Sequence, residues 1–498
     1  DETKTPAKET SGDSRYCQIC YENETTPDPS LGRRGTSLFL AASHLDEDVA
    51  RVNADVKHDG ITTKFKVPIN DSSNLTFYTG MSDGMIRIDQ YLNVGMVNIA
   101  NQYLDMLYHR ALNPVSDLSI RAYSGITDIN FQLPVIRATS PTATTTSIEY
   151  PCYPESASGL ELQHNWLINE QNFFIWGFDL RRAVGELPRY STFTTVTVFS
   201  SPAGTQTINV YNNSINERYT GNTSALYIQD EFKPNKQLTL TMGARYDNHS
   251  IYGSMLSPRL GMVYNLKNHP TVFKASAGKA FRAPDFSELY NQQYFLAVLV
   301  QKQEGKELIP EEITSYEAAV FHQLNKKTTG RITIFRNKME HLIDFPFTAF
   351  AFTGTTFKPI KREYFNQSSA ETKGLEIGLE KSLTDNLFAS LFYTRLNIDD
   401  NNNIPYIPDS KISLKLNYNP VDNLEMGLNG TKIGERRSII ATVLPSYSIL
   451  DAYLKLRLSD TVSLSVIGRN LLDEDYEEGP NFMTLQRQSV QLRIRCEL

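Results

Sequence analysis

A chain of 498 residues with 40% hydrophobic and 21% charged side chains has room for one large barrel or several ordinary domains, and its ordinary glycine (27) and proline (23) content excludes collagen-like and wholly disordered classes. Acidic residues exceed basic ones, 56 to 49, for a formal charge of -7, so no global positive field exists to hold nucleic acid. The longest apolar stretch, Tyr294 to Val300, falls far short of the roughly 18 to 20 residues of a helical membrane span, which leaves strands as the only means of crossing a bilayer.

Residues 1–35 show little alternation and predict one weak strand near residues 5–19, followed by the turn-rich Thr25 to Gly35. Cys17 and Cys20 form a CxxC with no second pair to complete a zinc ribbon, and Tyr21 stands where c-type haem attachment needs His. A local disulfide in an oxidising compartment is the reading those two residues favour. Cys152 and Cys496 have no evident partners.

From residue 36 onward the period is two. Leu238, Leu240, Met242, Ala244 and Tyr246 oppose Thr239, Thr241, Gly243, Arg245 and Asp247. Leu375, Ile377 and Leu379 oppose Glu376, Gly378 and Glu380, and Ile412, Leu414, Leu416 and Tyr418 oppose Lys411, Ser413, Lys415 and Asn417. The end of the chain sets Val490, Leu492, Ile494, Cys496 and Leu498 against Gln491, Arg493, Arg495 and Glu497. A helix would place its apolar residues three and four apart. Arg and Glu turned into the dry middle of a sandwich would be costly, so the polar rows are expected to face a wet lumen and the apolar rows lipid.

Ten short polar connections separate these segments: His44 to Asp48, Ile69 to Asn74, Asn113 to Asp117, Ile168 to Asn172, Lys233 to Gln237, Leu266 to Pro270, Leu324 to Thr328, Leu383 to Asn386, Asn419 to Asn423, and Leu458 to Thr461. They alternate with long irregular stretches such as 126–156, 183–217, 278–312 and 340–370. Ten hairpins plus one lone strand at each end predict an all-β, 22-stranded antiparallel transmembrane β-barrel with short periplasmic turns and long extracellular loops, in the outer membrane of a Gram-negative-type bacterium. At roughly ten embedded residues per strand, the barrel uses about 220 residues and leaves the rest for connections.

Five pieces, in order, resemble the barrel of a TonB-dependent outer-membrane receptor. They are Tyr227-Ile228-Gln229-Asp230-Glu231 with Gly243-Ala244-Arg245-Tyr246-Asp247; Ser257-Pro258-Arg259-Leu260-Gly261; Ala275-Ser276-Ala277-Gly278-Lys279-Ala280-Phe281-Arg282-Ala283-Pro284; Gly374-Leu375-Glu376; and Gly468-Arg469-Asn470-Leu471-Leu472-Asp473 with Asp475-Tyr476. The resemblance runs over residues 36–498 and implies uptake of a metal chelate such as a ferric siderophore, haem or cobalamin. The chelate would be the ligand, with no intrinsic cofactor. Energy would come from a TonB-type inner-membrane partner acting through a plug domain, which is expected to be absent from this chain. Lipid and lipopolysaccharide are the other implied partners, nucleic acid is not one, and a passive pore or adhesin/assembly barrel is the rival reading.

Phe281-Arg282-Ala283-Pro284 with Glu288-Leu289-Tyr290 also resembles the FRAP region of haem receptors, yet residues 285–307 contain no His to ligate haem iron. The long loop that follows offers Phe281, Phe286, Tyr290 and Tyr294 for stacking, with Arg282 and Lys302 for carboxylate pairing, so these six are the expected ligand contacts. Arg282 can equally meet a plug or an acidic wall residue. His249 and His341 lie near long-loop bases; the run Asp399 to Asn403 lacks the ligand spacing and glycine of a calcium loop and reads as a solvated tip. No nucleophile elbow, HExxH, P-loop or dinucleotide fingerprint occurs, so no catalytic residue and no resident metal is expected.

Overall fold

The computed structural model describes residues 14–24, 36–48, 55–90, 93–133, 148–149, 154–188, 197–201, 204–208, 216–290, 292–295, 298–303, 305, 307–345, 347–352, 357–400, 406–438, 442–476 and 488–496. They form one 25-stranded sheet and two small hairpins. Four members of the large sheet are short loop strands, Ile148–Glu149, Gln292–Phe295, Val298–Lys302 and Phe347–Phe352, and the other 21 follow one another antiparallel from Ser14–Glu24 to Ser489–Cys496. With 21 strands the first and last run in the same direction. The described residues thus give 21 of the 22 strands that the sequence predicts.

Side-chain exposure follows the alternation. Tyr246 is 50% exposed while its neighbour Asp247 is 5% exposed, and on the last strand Val490, Leu492 and Ile494 are 70, 68 and 66% exposed. Leu226, Ile228, Leu256, Leu260, Ile332, Ile334 and Ile377 continue the outward apolar belt. Burying charge in hydrocarbon is expensive, so a sheet with this belt outside and ion pairs inside is a membrane wall rather than half of a dry sandwich. At the long-loop end the belt stops where charge appears on the same face. Phe273 and Tyr316 are outward and apolar, whereas Lys279, three pleat repeats above Phe273, pairs with outward Glu312 at 2.7 Å.

Nine of the ten short connections are where the sequence puts them, between consecutive strands of one rim. Five share one device: Asn70, Asn113, Asn169, Asn235 and Asn325 each accept, through the side-chain oxygen, the backbone N–H two residues on, at 2.8–3.0 Å. The tenth, His44 to Asp48, is a correction. Those residues lie inside the strand Ser37–Asp48, paired with Asp55–Asn70. Above the lipid belt both faces of a strand meet water, so polar residues there carry no turn signal. Chain direction assigns the connection from Ser14–Glu24 to Ser37–Asp48 to the short-turn rim instead.

The local Cys17–Cys20 disulfide is also corrected. Both residues sit in the regular strand Ser14–Glu24, opposite His44 and Ala41, and about 10 Å apart at 3.3 Å per residue. A disulfide spans less than 7 Å between Cα atoms. The first described strand overlaps the predicted 5–19 at its C-terminal end; Thr25 to Gly35, Cys152 and Asn401 to Asn403 lie outside the described residues.

Candidate functional site

The inward rows build a charged wall. Arg121 donates to Asp105 from the neighbouring strand at 2.8 Å and lies 3.8 Å from Glu161. Arg245 donates to Asp179 two strands away at 3.0 Å and to Asp247 on its own strand at 2.9 Å. Tyr227 donates its hydroxyl proton within reach of both Glu161 and Gln163, at 3.2 and 3.1 Å. Gly159 makes room for the Tyr123 ring to lie against the wall, since a Cβ there would strike that ring at 2.4 Å from its Cζ.

At the long-loop rim the chain turns inward after Arg282. Asp285 and Glu288 form a capping box: Asp285 accepts the Glu288 N–H at 2.8 Å and Glu288 accepts the Asp285 N–H at 2.9 Å. This starts the short helix Phe286–Tyr290. Arg282 grips Glu288 with two parallel bonds of 3.0 Å and also donates to Glu311 on the next strand, which in turn accepts the Ile343 N–H at 2.7 Å. Burial alone would raise the Glu311 carboxyl, but the bonds from Arg282 and the Ile343 N–H outweigh it and hold it below the usual range. Both residues lie above the level of the Lys279–Glu312 pair, outside the lipid belt.

The helix sends Phe286 against Gly185, where a Cβ would approach its ring to 2.7 Å, and stacks Tyr290 on Tyr219 at 3.9 Å between centroids. Burial, helped by the negative charge of Glu307, pushes the Tyr290 hydroxyl up from its ordinary value, keeping it a neutral donor. Beside Phe286 is an open cavity of about 490 Å3 lined by Tyr103, Arg121, Tyr123, Glu155 and Arg181. Arg181 points into it from Asn172–Pro188, and among the described residues it has no ion-pair partner; it acts electrostatically on Tyr123, Glu155, His249 and Tyr252. His249 stacks on Tyr252 at 3.9 Å, and Tyr252 meets Phe281 edge-on at 6.5 Å.

Above the cavity the long loops make their own small sheet. Val298–Lys302 runs parallel to Lys361–Tyr364, which pairs on its other side with Phe347–Phe352. Tyr364 stacks on Phe345 at 4.0 Å, and burial, reinforced by Asp285 and Glu288, pushes its hydroxyl up to about 12.

The six expected contacts therefore separate. Phe286 lines the cavity; Tyr290 stacks on Tyr219; Phe281 rests on Tyr252; Arg282 is engaged by Glu288 and Glu311. Tyr294 lies in Gln292–Phe295 and Lys302 ends Val298–Lys302, so both belong to the loop sheet. Arg181, Tyr123, Tyr219 and Tyr252 join the site from strands whose alternation marks them as inward, a signal present in the sequence but shared with every other inward residue. Among the described residues no three His, Cys, Asp or Glu side chains gather into a metal-ligating group.

The model of the family described as TonB dependent receptor-like, beta-barrel matches residues 43–471. An iron-regulated outer membrane virulence protein of Vibrio cholerae is 25% identical over 280 residues, 53% of this chain and 43% of that protein. The ferric enterobactin receptor PirA of Pseudomonas aeruginosa is 27% identical over 227 residues, 43% of this chain and 30% of that protein. The matches thus span less than half the length of these relatives. Among solved structures, the siderophore receptor PirA of Acinetobacter baumannii superposes with a TM-score of 0.75 at 14% identity, over 97% of this chain and 78% of that one. A variant of the ferric enterobactin receptor PfeA of Pseudomonas aeruginosa gives 0.74 at 14% identity with the same coverage. At that identity the likeness is one of fold. A wet, ion-paired lumen inside an apolar belt, short turns on one rim, long loops on the other and a family match over most of the length show that the chain belongs to the TonB-dependent receptor β-barrel family of the outer membrane.

Proposed function

We propose that this chain is the wall and loop assembly of an outer-membrane receptor that takes up a ferric siderophore, energised through a plug by a TonB-type inner-membrane protein. The observation that carries the reading is the rim cavity, where Arg181, without an ion-pair partner among the described residues, stands among Tyr103, Tyr123 and Phe286. Ferric iron held by anionic oxygen donors on an aromatic scaffold presents negative charge and flat rings together, and a guanidinium beside aromatic faces suits both. Haem fits less well, because the FRAP-like segment has no His between Asp285 and Glu307. The names of the relatives, an iron-regulated protein and ferric enterobactin receptors, support the same choice.

The test uses the whole receptor, plug included. Quenching of intrinsic fluorescence is expected with ferric enterobactin at much lower concentration than with haemin or cyanocobalamin. Arg181→Ala should weaken that binding about tenfold or more, as expected for loss of a charge-assisted contact worth roughly 1.5–3 kcal/mol. Uptake of radioactive iron by cells lacking their own receptors should require the TonB-type protein. Tighter binding of haemin, or a steady large conductance unaffected by a plug, would replace this reading.

A further inference from the structure

Pairing between Gly253–Asn265 and Thr271–Arg282 stops halfway up the wall. The two strands are joined from Asn265 and Val272 up to Arg259 and Gly278, and among the described residues no further. Above that level each keeps only its outer neighbour. Gly253 to Pro258 remain paired with Leu238–His249, and Lys279 to Arg282 remain paired with Glu311–Asn325.

The cause can be read from the chain. The Asn265 N–H donates to Gln237 on one side, while the Leu266 N–H donates to Thr271 on the other. Neither ladder has a register shift, so the even-numbered residues of Gly253–Asn265 direct their N–H groups toward Thr271–Arg282. The first even residue beyond the last joined level is Pro258, which has no N–H to give. In the unbroken register Ser257 would face Ala280 and Leu256 would face Phe281.

A cavity of about 790 Å3 lies at this gap, bordered by Ser257 and Pro258 on one side and by Lys279 and Ala280 on the other. The gap begins at the level of the outward Lys279–Glu312 pair. Aromatic contacts bridge it from above. Phe281 meets Tyr252 across the gap, and the helix that follows Arg282 reaches back over it to seat Phe286 on Gly185 and Tyr290 on Tyr219.

We propose that the gap at Pro258 is a joint in the barrel wall, held shut by these three aromatic contacts and released when a ligand in the rim cavity displaces them. Phe286, one of the rings that close the joint, also lines the ligand cavity, so binding and wall opening share that contact. The upper half of Thr271–Arg282 then moves as one piece with Glu311–Asn325. The ligand-driven step rests on the siderophore reading above, whereas the joint itself does not.

Hydrogen exchange of the whole receptor tests the joint without any ligand. The amides of Leu256, Lys279 and Phe281 are expected to exchange at least about tenfold faster than those of Leu260 and Ala277, and Pro258→Val, which restores the missing donor, should slow them. Equal protection above and below Pro258 overturns the proposal, whatever the ligand proves to be. For the motion, Ser257→Cys with Ala280→Cys places two thiols at a non-hydrogen-bonded position, where a closed ladder brings Cα atoms to about 4.5 Å. The oxidised pair should keep ferric enterobactin binding and lose most of its uptake, with reduction restoring it and the single cysteines without effect. Undiminished uptake through the closed disulfide overturns the motion. Failure of the unsubstituted receptor to bind ferric enterobactin would instead count against the siderophore reading, and the exchange pattern would still decide the joint.

Discussion

Arg282 looks, in sequence, like a ligand contact, and its geometry gives it another task. Its guanidinium is shared between Glu288 on the helix and Glu311 on the next strand, so it ties the inward turn of the loop to the wall. Arg282→Ala leaves those two carboxylates facing one another. Cleavage of the 283–310 loop by added protease should rise about tenfold, while the barrel's resistance to detergent unfolding stays unchanged. Arg282→Lys should recover little of this, because a single ammonium cannot reproduce the bidentate grip. The same tie is sensitive to acid. Glu311 ionises below the usual range in the folded state, so its contribution is fully present above the ordinary carboxylate value near 4.3 and is lost as pH falls through its own lower value. Loop protection should therefore be flat from pH 8 to 5 and fall only below about pH 4.

At the scale of elements, the strands obey period two wherever one face meets lipid, and lose it where both faces meet water. Ile334, 57% exposed on the outward row of Thr328–Asp344, is within the belt. Ile334→Arg should cost about 2–4 kcal/mol if that position lies near the bilayer midplane, measured by urea titration of the barrel folded into lipid vesicles. Above the belt, the outward pairs His44–Asp59 at 2.6 Å and Lys57–Asp46 at 3.1 Å show what replaces apolar contact there. This is why His44 to Asp48 reads as a turn in sequence while remaining a strand. The asparagine turns were legible because each uses a local side-chain bond that needs no tertiary partner, as Asn169 does for Gln171. The arginine doublet Arg181–Arg182 was not: alternation sends one inward and the other outward, and only the register of the neighbouring strands says which.

For the whole molecule the decisive property is closure. A wall without a dry core holds together through its strand-to-strand ladders, and losing one strand exposes a neighbour's unpaired edge. Deleting residues 489–498 removes the strand that pairs with Val462–Arg469 and should abolish the compact, heat-sensitive band that folded barrels give on unheated electrophoresis. A substitution confined to the lumen, such as Arg181→Ala, should leave that band intact. The contrast separates assembly from ligand capture.

The residues by themselves determined the class of fold, the direction of the two faces, nearly all of the short-turn rim and the family, because each of these rests on local period, local turn chemistry or contiguous motifs. Only the tertiary structure decided which members of the FRAP-like loop face the cavity, which two carboxylates hold Arg282, that Arg181 and Tyr219 join Phe286 and Tyr290, and that the ladder ends at Pro258. Those facts depend on cross-strand register and on loops folding back over the rim. Residues separated by a hundred positions in the chain become neighbours only when the ring is built.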